Sequence, residues 1–194
     1  MIRMVWAQAL AGALLLAAMS PVPSALGAAL LGTAVWLWWR DQVPADAPFW
    51  LRHAAAFALL AEIAICLGWF AFMHQEGWLF APADGSRHLA EVATLAVIAS
   101  AALARWALDV RQDRDLALWA ALALGALAGA VELYGLRFGG SAPLAALRLA
   151  HLGLGLAGLL AVRGAGRLAL TLGVMAWIGV AGVWSILQLA MWLA

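Results

Sequence analysis

Residues Asp109–Leu136 read DVRQDRDLALWAALALGALAGAVELYGL, and this stretch decides the class of fold. Its first seven residues carry five charges (Asp109, Arg111, Asp113, Arg114 and Asp115), and the 21 that follow carry one, Glu132. A helix of about 20 apolar residues crosses the hydrocarbon of a bilayer. A charged hydrophilic turn followed by such a run is the signature of a chain leaving water and entering lipid. Helix is the only open form there, because lipid offers no partner to loose backbone groups and no alternation fit for a barrel strand is present.

The same pattern repeats in both directions. Of 194 residues, 67% are hydrophobic and 11% charged, against about 25% charged in an ordinary soluble domain. A water-facing surface could not be built from so few charges, whereas lipid solvates apolar faces directly. The net charge of +1 gives no electrostatic footprint for nucleic acid. All eleven basic residues are arginine, and the richness in Ala, Leu and Gly fits a GC-rich bacterial genome. One cysteine, Cys66, supports neither a disulfide framework nor a cysteine metal cluster.

Charges and turn residues divide the chain into seven spans, forming a single all-α, polytopic membrane domain over residues 1–194. The first, Met4–Met19, follows Arg3 like a secretory leader. Similar runs continue downstream, however, and Ser20-Pro21-Val22-Pro23 reads as a turn between spans, so a retained helix is expected. The second, Ser24–Trp39, ends in Trp38-Trp39-Arg40-Asp41, aromatics and charges at headgroup level. Pro44 and Pro48 delay the third, Phe49–Met73. A polar loop from His74 to Arg87 leads to the fourth, His88–Leu108, and then to Leu116–Leu136. The turn Gly139-Gly140-Ser141-Ala142-Pro143 precedes Leu144–Val162, and Arg163-Gly164-Ala165-Gly166-Arg167 precedes Leu168–Leu193.

Arginine placement orients the chain. With the N-terminus inside, Arg3, Arg40, Arg52, Arg105, Arg111, Arg114, Arg163 and Arg167 lie at the inner side, against Arg87, Arg137 and Arg148 outside. Eight against three predicts a cytoplasmic N-terminus and a periplasmic C-terminus in a bacterial inner membrane.

Two carboxyls stand in mid-span, Glu62 and Glu132, while Glu91 lies near a span end. An ionisable group at that depth costs about 2.5–3.5 kcal/mol on insertion scales and needs a reason. Two readings are open: a proton path, ion site or polar contact with lipid or a neighbouring subunit, or a protonated carboxyl hydrogen-bonded between helices. His151 is the one histidine clearly within a span; His53, His74 and His88 fall near helix ends or in loops. A b-type haem requires two imidazoles on facing helices and a di-metal site requires Glu-x-x-His pairs, so neither is expected. No phosphate loop or nucleophile elbow occurs. Twelve tryptophans fall mostly at span ends, as aromatic belts do.

Several motifs, in order, resemble those of subunit III of the haem–copper oxidases, the cytochrome c oxidase subunit III family. Trp38-Trp39-Arg40-Asp41 is similar to that family's Trp-Trp-Arg-Asp motif. Leu51-Arg52 precedes Glu62 by a spacing similar to that between its Leu-Arg and buried Glu, and Gly68, Trp69, Phe70 and Phe72 follow as its glycine and aromatics do. Thr94 and Ser100 fit its fourth helix, with Ala93 in place of an Asn. Glu132-Leu133-Tyr134 resembles its Glu-Tyr. His151 and Gly158 fall on its His-Gly-Leu-His…Gly pattern, with Leu154 replacing the second His. Trp177 and Trp184 match its paired tryptophans, with Ile178 and Ala181 where it has His and Asp. The resemblance covers about residues 24–194 and describes a divergent member.

It implies two helices and five helices in separate bundles flanking a lipid cleft. It also implies a subunit without haem or copper of its own, which assists the proton uptake and turnover of a proton-pumping oxidase. Subunits I and II would be the partners, with the metals in them and phospholipid bound here. Trp39, Arg40, Arg52 and Glu62 would line the lipid site, and Glu132 and His151 would be buried polar contacts. Alternatives are an accessory protein of a nitric-oxide reductase or quinol oxidase, and a small-solute transporter or channel with Glu62 and Glu132 on its path.

Overall fold

The computed structural model describes residues 84–110, 112–139, 142–164 and 166–193, together with positions 7–8, 11–12, 26–27, 30, 33–34, 37, 47–49 and 53. Among the described residues no strand occurs. Four helices are long and apolar enough to cross a membrane. They are α1 (Asp84–Trp106), α2 (Arg114–Gly135, continued by a 3₁₀ turn over Leu136–Phe138), α3 (Ala142–Val162) and α4 (Arg167–Leu193). These coincide with the fourth to seventh expected spans. The first difference is at α1, which begins at Asp84, inside the stretch expected to be loop: Arg87 and His88 reach Glu91 one turn on, at 3.6 and 3.3 Å, and hold the polar first turns as helix.

Packing divides the chain into two units, Met1–Phe72 with Ile186–Ala194, and Met73–Ser185. In the first, the described positions from 7 to 12 and from 26 to 37 are helical. Gln8 Nε2 donates to Thr33 Oγ1 and to the Leu30 carbonyl (3.3 Å), and Thr33 Oγ1 donates to the same carbonyl (3.0 Å). A polar staple thus joins segments of the first and second spans. In the third span, His53 Nδ1 lies 2.8 Å from the Phe49 carbonyl. Trp39, Arg40, Arg52 and Glu62, the expected lipid-site residues, lie outside the described residues.

The second unit is better defined, and its turns follow from local chemistry. At the end of α1, Arg105 reaches forward from the last turn to Asp109 (2.9 Å). Gly139 closes the 3₁₀ turn at φ 87°, a left-handed conformation that glycine adopts without a Cβ penalty. Pro143 stands in the first turn of α3, where no intrahelical N–H is needed.

Where α1 and α2 meet, the core of this unit is made largely of small residues. Ala93, Val97 and Ala104 of α1 and Ala117, Ala121 and Ala128 of α2 are buried at helical spacing. Lipid tails are as apolar as leucine, so helices in a membrane associate through close backbone approach, and small side chains permit it. The outside is reversed: Leu95 is 66% exposed and Leu133 55%, with Val92, Ile98, Trp119 and Leu127 also turned outward. Large aliphatic groups outside and alanine inside make a helix bundle suited to lipid.

Candidate functional site: a buried polar layer

Glu132 lies one turn before the end of α2, and Arg148 lies two turns into α3. The intervening turn brings them to one depth. Arg148 Nη1 is 3.2 Å from Glu132 Oε1, and the arginine side chain is only 2% exposed. Its guanidinium carbon sits 4.0 Å from the ring centre of Trp184 on α4, a cation over an indole face. The same indole donates from Nε1 to Thr94 Oγ1 on α1 (3.1 Å), and Thr94 Oγ1 donates to the Ala90 carbonyl one turn back (2.8 Å). One continuous polar chain therefore touches all four helices.

A second layer lies two turns along α4. Trp177 donates from Nε1 to Ser100 Oγ on α1 (3.1 Å), and Ser100 Oγ donates across to the Ala121 carbonyl on α2 (2.5 Å). The ring fits because both neighbours supply glycine. A Cβ at Gly125 would lie 3.1 Å from Trp177 Cζ2, and one at Gly155 only 2.8 Å from Trp177 Cε3. Both tryptophans are fully buried, in a chain where most were expected in the interfacial belts.

Arg148 corrects the arginine count. It was counted with the outer arginines; in the structure it is inside the bundle, leaving Arg87 and Arg137 at that end. The physical reason is its surroundings, since a carboxylate and an indole face on two neighbouring helices solvate a guanidinium as lipid cannot. The signal available in sequence was an arginine in the body of an apolar helix, with Glu132 at a matching depth across one turn. Arg148 Nε and Nη2 have no hydrogen-bond partner among the described residues.

His151 is buried one turn beyond Arg148 on α3. Leu154, where the resembling family carries a second histidine, is 71% exposed, and Ala181, where it carries aspartate, is in the core. Glu91 is neither mid-membrane nor solitary, being flanked by Arg87 and His88.

Among the described residues no group of three or more His, Cys, Asp or Glu comes together to hold a metal ion. An indole N–H donates but does not accept, so the chain through Trp184 is no proton wire. What the arrangement does is fix helices against one another. Compared with family models, with curated proteins and with solved structures, the chain matches none.

Proposed function

We propose that the chain is a non-catalytic, subunit III-like component of a bacterial respiratory terminal oxidase, spanning the inner membrane seven times with its N-terminus in the cytoplasm. Its work is to bind phospholipid between its first two helices and the other five and to support the stability, proton uptake and turnover of the catalytic subunit. Trp39, Arg40 and Arg52 would meet the headgroups, for which a forked guanidinium suits a phosphate, and Glu62 would face the lipid. Haem and copper belong to the partner subunits.

One observation carries most of the weight. Thr94, Ser100, Trp177 and Trp184 were singled out by resemblance alone, and they meet in pairs, Trp184 with Thr94 and Trp177 with Ser100, across 90 and 77 residues of sequence. Glu132 joins the same layer through Arg148. Transport through Glu132 fits less well, because its carboxylate is already engaged by a buried cation.

The test is purification in a gentle detergent through a C-terminal tag, read by absorbance and mass spectrometry. The expected result is co-purification of a large haem-bearing membrane subunit with phospholipid, and loss of the Soret band from the tagged chain when the partner is stripped away. A colourless protein, alone or as a homo-oligomer, would sink the reading and turn attention to transport.

A further inference from the structure

Helix α3 poses a problem that apolar packing does not solve. Its leucines stand on every side: Leu152 and Leu159 are buried, Leu154 and Leu160 exposed. Alanine and glycine are spread equally widely, from Ala145 in the core to Gly153 and Gly158 facing outward. In lipid, a leucine gains little by exchanging a hydrocarbon tail for a neighbouring helix. Turning α3 about its axis would therefore replace one Leu/Ala/Gly surface by another. Gly155, against which the Trp177 ring packs, marks one face by its shape, and Arg148 and His151, one turn apart, are the polar groups on that face.

We propose that the Glu132–Arg148 pair is a register device, which selects one rotation of α3 within the four-helix unit and contributes little to its stability. Three features favour that role. The pair is a single contact at 3.2 Å, while Nε and Nη2 of the same buried guanidinium are unmatched among the described residues, so two desolvated charges are only partly compensated there. Close packing is supplied elsewhere, where Trp177 fills the space left by Gly125 and Gly155. The contacts of Arg148 are also directional: Glu132 on α2 and Trp184 on α4 bracket it, and the hydrogen bond from Trp184 to Thr94 carries the constraint to α1. Any other rotation of α3 takes the guanidinium away from both Glu132 and Trp184.

Crosslinking decides the matter in full-length protein with Cys66 replaced by alanine. A Cβ at Gly129 lies 3.2 Å from Leu152 Cδ2, so a short thiol crosslinker will join G129C to L152C. Ala150 is exposed on another side of α3, and G129C with A150C should join more slowly by about ten-fold or more, as residues two apart on a helix do not share a face. In the doubly apolar variant E132L/R148M that preference is expected to fall, leaving what the fit of Gly155 against Trp177 alone maintains. The protein should meanwhile unfold at a denaturant midpoint no lower than that of E132L or R148M alone. Retention of the full crosslinking preference in the double variant would overturn the proposal. So would a double variant that fails to fold or unfolds before the single ones, since the pair would then be a source of stability.

Discussion

An indole N–H within a membrane bundle finds no water, and the energy of its hydrogen bond depends on what it meets. Trp177 meets Ser100, which itself donates to the Ala121 carbonyl, so the hydroxyl accepts from α4 and donates to α2 at once. Ser100→Ala removes the acceptor and leaves the indole donor buried without a partner. Trp177→Phe removes the donor but keeps most of the ring. Each is expected to cost about 0.5–2 kcal/mol, the range spanned by intramembrane hydrogen bonds and unmatched buried donors. The double variant should cost little more than Ser100→Ala alone, because the bond from Trp177 is already lost with the serine. Reversible unfolding in mixed micelles measures the cycle, and strictly additive losses would show that the two side chains do not interact. At this scale the sequence was a partial guide. Thr94, Ser100, Trp177 and Trp184 stand out as polar or aromatic positions in apolar runs, yet their pairing depends on how α1 and α4 are rotated. Arg148 shows the same limit: it was counted at the outer side, and only the lateral position of Glu132 and Trp184 places it inside.

Helices α1 to α4 were legible nearly to the residue, because the energy of moving charge into lipid is large and local. Asp109–Asp115 and Arg163–Arg167 end the spans wherever the helices pack. Lateral order was not legible, since helices apolar on every side carry no periodic mark of their buried face. Glycine spacing gives a partial mark, and two glycines of α3 separate the cases. A Cβ at Gly155 would lie within 2.9 Å of Trp177 Cζ3 and Val180 Cγ2, whereas one at Gly158 has nothing within 4 Å. Gly155→Leu should force α3 and α4 apart and cost about 1–3 kcal/mol, the usual scale of overpacking, or more where the obstacle is a rigid indole. Gly158→Leu, three residues on, should be neutral or mildly stabilising, since leucine favours helix over glycine and faces lipid. Thermal unfolding of the two variants beside the unchanged protein checks this. Equal losses would mean that α3 is not rotated as the structure has it.

For the molecule as a whole, burial of Arg148 sharpens the orientation. Within the second unit, Arg105, Arg114, Arg163 and Arg167 stand at the helix ends on one side, and Arg87 and Arg137 on the other. The acidic residues Asp109, Asp113 and Asp115 sit with the larger group, but acidic residues weigh little in orienting a chain, because it is lysine and arginine that resist translocation. Over the whole sequence the bias becomes eight arginines against two once Arg148 is removed from the outer set. The turn after α2 is then expected outside and the turn between α3 and α4 inside. Gly139 and Gly164 are exposed, with nothing within 4 Å of an added Cβ, so a cysteine at either reports its side without disturbing the core. Gly139 has φ 87°, and a side chain there strains the turn; exposed Phe138 next to it is the safer reporter. With Cys66 replaced by alanine, a membrane-impermeant maleimide added to spheroplasts should label F138C and spare G164C until the membrane is opened. Labelling in the opposite order would invert the topology and bring Arg40 and Arg52, the arginines proposed to meet lipid headgroups, to the periplasmic face. Reversing the charge of Arg163 and Arg167 together, in G164C protein, should weaken the preference and raise labelling in intact spheroplasts. These two residues hold the only turn between α3 and α4, and without their charge that turn loses its main barrier to crossing.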